Sequence, residues 1–85
     1  MASIEEFIGL INEAGMQIET ATAAVESARS NGDEVVGTLQ MVGANGAAEI
    51  INSAMEQLET VTASLTSAKS KAEESSSVAA GAMES

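Results

Sequence analysis

Aliphatic residues return every seven positions through the first half of the chain. Ile4, Ile11, Ile18 and Val25 share one heptad position, and Phe7, Ala14, Ala21 and Ala28 share the position three further on. An apolar pair of lines with this spacing is the mark of a helix packed lengthwise against another helix. The register continues through Gly32 and Leu39 on the first line and through Val35 and Val42 on the second. Ser3-Ile4-Glu5-Glu6 opens the pattern as a capping box. Ser3 stands at N-cap, and two carboxylates lie where the helix dipole favours them. Ser30-Asn31-Gly32-Asp33 is a turn signal inside the stripe. The phase survives Gly32, so the pattern predicts a helix that continues or kinks there, with 31–33 the place for any break.

The stronger punctuation is Gly43-Ala44-Asn45-Gly46. Gly43 suits the left-handed position after a helix end, and Asn45 is placed to cap a second helix with Glu49 in its first turn. A second seam follows, with Ile51, Leu58, Leu65, Ala72 and Ala79 on one line and Ala47, Ala54, Val61, Ala68, Ser75 and Ala82 on the other. The turn residues Gly43, Asn45 and Gly46 fall at mid-chain, so the fold class predicted is all-α: a single-domain antiparallel two-helix hairpin, 1–85, turning at 43–46 and associating into a helical bundle. Folding there sets Val25 against Leu65, Gly32 against Leu58 and Ala21 against Ala68. The last pair is small against small, which predicts a close-packed seam at that point. Ser75-Ser76-Ser77 and Gly81 predict a frayed or disordered tail over 76–85.

Composition narrows the function. Three basic residues face thirteen acidic ones, a formal charge of −10. Nucleic acid is excluded as a partner, because binding it requires cations to neutralise phosphates. There is no Cys and no His, so thiolate and imidazole metal sites and His-dependent nucleophiles cannot be assembled. The adjacent carboxylates Glu5-Glu6, Asp33-Glu34 and Glu73-Glu74 diverge on a helix and cannot share a proton or an ion. Gly43-Ala44-Asn45-Gly46 lacks the Lys of a phosphate-binding loop. No catalytic residue, metal ligand or cofactor is expected, and the chain is read as non-enzymatic. Arg29 is placed to pair with Glu56 or Glu59, and Lys69 with Glu19 or Glu26, as devices that fix register.

Apolar residues off the seam carry most of the functional information. Ile8, Leu10, Val36, Ile50 and Met55 are the expected partner interface, since apolar positions left outside a two-helix seam need a further surface to cover them. The expected partner is a second copy, giving a homodimer and a four-helix bundle, or a helical protein. An amphipathic lipid-binding role is the alternative. The scarcity of basic residues argues against a membrane surface, because such helices line their polar face with Lys and Arg. No basic leader and no membrane-spanning run is visible, so the chain is expected in the cytoplasm, or exported without a cleavable signal peptide.

A small, acidic, cysteine-free helical hairpin with Met41-Val42-Gly43 at its turn resembles the Trp-x-Gly, ESAT-like proteins of type VII secretion. Gly43 matches the family's Gly and Met41 stands in place of its Trp. The family's C-terminal Tyr signal has no counterpart, as the chain contains no Tyr. The resemblance implies a helical hairpin that pairs with itself or with a helical segment of a larger protein such as a secreted toxin.

Overall fold

The structure is a computed structural model that describes residues 3–84. Two helices account for nearly all of it: α1, Ile4–Met41, and α2, Asn45–Met83. They lie side by side along their whole length, in a rod of 65 × 16 × 15 Å. The all-α hairpin predicted from the heptads is the fold.

α1 begins at the expected N-cap. The Glu6 amide donates to the Ser3 hydroxyl at 3.1 Å, and Ser3 is extended. The helix runs unbroken across Asn31-Gly32 for 38 residues. It ends in a Schellman closure: the Ala44 amide donates to the Leu39 carbonyl at 2.8 Å, and the Gly43 amide to Gln40 at 3.1 Å. Gly43 takes φ +79°, which glycine adopts without the steric cost other residues meet.

This closure is tighter than the turn predicted over 43–46. Only Val42, Gly43 and Ala44 lie between the helices. Ala44 is therefore the N-cap of α2, with no side-chain bond to the helix amides. Asn45 is the first residue of α2, not its cap; Gly46 is helical, and Glu49 sits beyond the first turn. Helix geometry also continues through Ser75-Ser76-Ser77, where fraying was expected, as far as Met83.

The shorter turn slides the helices by nearly one turn from the predicted register. Gly32 faces Met55 rather than Leu58: a Cβ built on Gly32 would lie 2.6 Å from the Met55 Sδ. Steps of three and four residues from that contact set Arg29 level with Leu58, Val25 with Thr62 and Val36 with Ile51. The flank of the seam differs too. The line through Ile11, Ile18, Val25 and Leu39 turns inward as predicted, as does that through Ile51, Leu58, Leu65 and Ala72. Their inward companions are Ile8, Gly15, Thr22, Arg29 and Val36 on α1, and Ala48, Met55, Thr62, Lys69 and Ser76 on α2. The predicted companions stay largely outside. Phe7, Ala14, Ala28 and Val35 are exposed, and so is Ala68, so Ala21 and Ala68 do not form a closed layer.

Polar residues fit this seam because each disposes of its polar atoms locally. The Thr22 hydroxyl donates to the Ile18 carbonyl at 2.9 Å and that of Thr62 to Leu58 at 3.1 Å, leaving both methyl groups to pack. Arg29 and Lys69 lay their aliphatic stems along the seam and carry their charges out to its edge. The resulting core is slight. Ala48, packed under the turn at 3% exposure, is the one fully buried residue among those described.

Candidate interaction surface

Two helices in antiparallel contact leave two flanks beside their seam, and the sequence treats them in opposite ways. One flank is polar. It carries Asn12, Glu19, Glu26 and Asp33 from α1, and Asn52, Glu59, Thr66 and Glu73 from α2. The cross-helix polar contacts are made here. Arg29 pairs with Glu59 at 3.0 Å, Lys69 pairs with Glu19, and the Ser76 hydroxyl donates to Asn12 Oδ1 at 3.3 Å. Both ion pairs are those the sequence named. Each is more than a third exposed, so water screens both and neither adds much stability. Their geometry still holds the register. The Glu19 carboxylate beside Lys69, by hydrogen bond first and by charge second, raises the ammonium pKa above its ordinary 10.5, with a smaller push from Glu73.

The other flank is apolar. Phe7, Ala14, Ala21, Ala28 and Val35 run down α1, and Ala47, Ala54, Val61, Ala68, Ser75 and Ala82 run down α2. The next positions outward are mixed but carry no carboxylate: Leu10 and Ala24 alternate with Gln17 and Asn31 on α1, and Ile50 and Val78 flank Gln57, Ser64 and Lys71 on α2. A shallow groove of about 410 Å³ joins Phe7 to Ser75, Val78 and Lys71, showing the two lines on one side of the rod. Its counterpart on the polar flank, of about 430 Å³, is lined by Glu19, Glu26, Thr66, Lys69 and Glu73.

None of the thirteen carboxylates falls on either apolar line or on the positions next outward. Lys71 and Glu74 stand at the rim near Phe7 and approach each other at 3.8 Å. The side is otherwise uncharged over its whole length, on a chain of net charge −10.

The expected interface residues divide between two places. Leu10 and Ile50 are on the apolar side, 65% and 71% exposed. Ile8, Val36 and Met55 are half-buried within the hairpin's own seam, so they are not free for a partner. Phe7, Val61 and Val78 belong to the exposed side and were not among the expected residues. For Phe7 and Val61 the signal was present in the sequence, as two heptad lines on which every residue but Ser75 is apolar; Val78 lies on a mixed line that gives no such signal. Among the described residues no group of three or more acidic side chains is gathered as a metal site, and no helix is long and apolar enough to cross a membrane.

The chain matches no protein-family model, no curated protein and no solved structure.

Proposed function

We propose that the protein is a non-enzymatic helical interaction module. It works by offering the apolar side of its hairpin to another helical surface, either a second copy or a helical segment of a larger protein. One observation carries this reading: among the described residues Ala48 alone is buried, while Phe7, Leu10, Ile50 and Val78 are exposed on one side of the hairpin. Ordering the backbone costs about 1–2 kcal/mol per residue, and a seam this slight offsets little of it. The missing apolar burial must come from a partner. The absence of His and Cys and the open, solvated carboxylates support a role without catalysis. The likeness to the Trp-x-Gly proteins belongs to the same proposal, on the strength of the hairpin form and Gly43 at its turn. It would make the larger partner a secreted protein.

Urea unfolding of the isolated chain, followed by circular dichroism at concentrations where sedimentation finds single chains, tests the reading. The expected result is a shallow, weakly cooperative loss of helix. A steep, concentration-independent transition would mean that the hairpin is complete alone, and would refute it.

A further inference from the structure

We infer that the apolar side is where a second copy of this chain docks, the two hairpins closing into a four-helix bundle with their acidic flanks outward. The inference rests on the interaction-module reading and names its partner and its face.

Area is the first argument. A compact monomer of 8.6 kDa exposes about 4,700 Å². This chain exposes 6027 Å², roughly 1,300 Å² more than that scaling gives. The apolar side, as one long side of a 65 × 16 Å rod, offers about 1,000 Å². A standard stable interface takes about 800 Å² from each partner. One side of the hairpin is thus large enough for a dimer without help from the others.

Charge selects the occupant. A basic partner would be drawn to the acidic flank and the outward faces, where the carboxylates are. The apolar side offers such a partner nothing, and its one cation, Lys71, already faces Glu74. It suits a surface that is itself apolar and uncharged. The same side of a second copy is such a surface, and a two-fold axis makes the contact self-complementary. Contact through the polar flank would instead bring Glu19, Glu26, Glu59 and Glu73 of two chains of −10 against their own kind.

Shape agrees with this. The middle of the side is mostly small, with Ala14, Ala21, Ala28, Ala54 and Ala68 around Val61, and helix backbones can approach closely beside the alanines. The other bulky residues stand toward the two ends: Phe7, Leu10 and Val78 near the chain termini, and Val35 and Ile50 near the turn.

Sedimentation equilibrium at physiological salt compares the unaltered chain with two double variants. A28E/A68E adds two carboxylates on the apolar side; S27E/S67E adds two on the outward faces one residue away. All four positions are exposed, and Glu is a good helix former at each. The unaltered chain and S27E/S67E are expected at two-chain mass. A28E/A68E is expected to dimerise at least about a hundredfold more weakly, from burial of unpaired charge. The unaltered chain gives a second reading that does not depend on a variant's folding. With a soluble paramagnetic probe, the methyl signals of Ala28, Val61 and Leu10 should become shielded as concentration rises, while those of Met16 and Met41 stay exposed. Single-chain mass throughout, full dimerisation of A28E/A68E, or equal shielding on all faces each overturns the inference. The two proposals fail separately. A single chain that is weakly folded removes the second copy and leaves a different helical protein as the partner. A single chain that unfolds steeply removes both.

Discussion

Gly32 offers the sharpest test of the packing. It lies on the inward line of α1, and a Cβ there would sit 2.6 Å from Met55 Sδ and 3.0 Å from Met55 Cγ. Gly15 occupies an inward line too, yet a Cβ at Gly15 would meet nothing within 4 Å. Replacing a mid-helix glycine by alanine gains about 1 kcal/mol of helix propensity. Gly15→Ala should therefore stabilise the hairpin by about that amount. Gly32→Ala receives the same gain but forces the thioether back by roughly 1 Å, to the 3.5–4.0 Å of ordinary contact. Methionine is flexible, so this repacking costs about 1 kcal/mol rather than more, and the net change should be near zero.

The decisive measurement is a double-mutant cycle by urea unfolding at one fixed protein concentration. In a Met55→Ala background the obstruction is gone, and Gly32→Ala should recover its full gain, a coupling of about 1 kcal/mol. Gly32→Leu in the unaltered background should lose about 1–3 kcal/mol through overpacking. If Gly32→Ala stabilises as much as Gly15→Ala, and equally in both backgrounds, Met55 does not rest on Gly32 and the register is wrong.

Three further outcomes are expected. Glu19→Gln should bring the Lys69 pKa, followed by NMR titration, down toward 10.5; because the folded value is raised, the pair's contribution is fully present below 10.5 and fades as pH rises through the folded value, so a stability difference between variant and parent that grew at high pH would contradict the pairing. Ala44→Asp supplies the side-chain cap that α2 lacks and should raise stability by about 0.5–1 kcal/mol in thermal melts, whereas no gain would mean that the tight turn denies the carboxylate its reach. Self-association, followed by sedimentation, should strengthen as salt rises, because the attraction is apolar and the repulsion between chains of −10 is screened; weakening with salt would point to an ionic interface instead.

Local signals in the sequence proved dependable where a single residue's chemistry decides the outcome. Ser3 caps α1, Gly43 takes the left-handed turn position, and Arg29 and Lys69 find Glu59 and Glu19. What the sequence left ambiguous is which neighbour of a helix line joins it in the seam. Residues three and four positions away are both adjacent on a helix. Judged by polarity, Phe7-Ala14-Ala21-Ala28 outranks Ile8-Gly15-Thr22-Arg29, yet the second line is inside. Polarity misleads here because Thr22 returns its hydroxyl to its own helix and Arg29 buries only its stem. The register error has an equally local origin. Asn45 looks like a cap, and counting from it lengthens the turn; the Schellman closure through Leu39 and Ala44 needs no side-chain cap and starts α2 at once.

That reversal bears on function. A helix line that faces only water accepts Glu and Lys at little cost, and this chain has carboxylates to place. It puts them on the polar flank and the outward faces, and it admits Thr, Arg, Lys and Ser to its own seam. Meanwhile Phe, Val and a file of alanines occupy a flank the hairpin does not close. Folding of the lone hairpin gives no reason for that exchange, since swapping the two kinds of residue would deepen its seam. A partner does give one. Polar groups in the inner seam weaken the hairpin's hold on itself, and an uncharged outer side rewards whatever covers it. The same distribution makes the order of sensitivity testable by substitution. Charges introduced at Ala28 or Ala68 should disturb assembly more than charges introduced at Thr22 or Thr62 do, although the threonines are the more buried residues of the single chain.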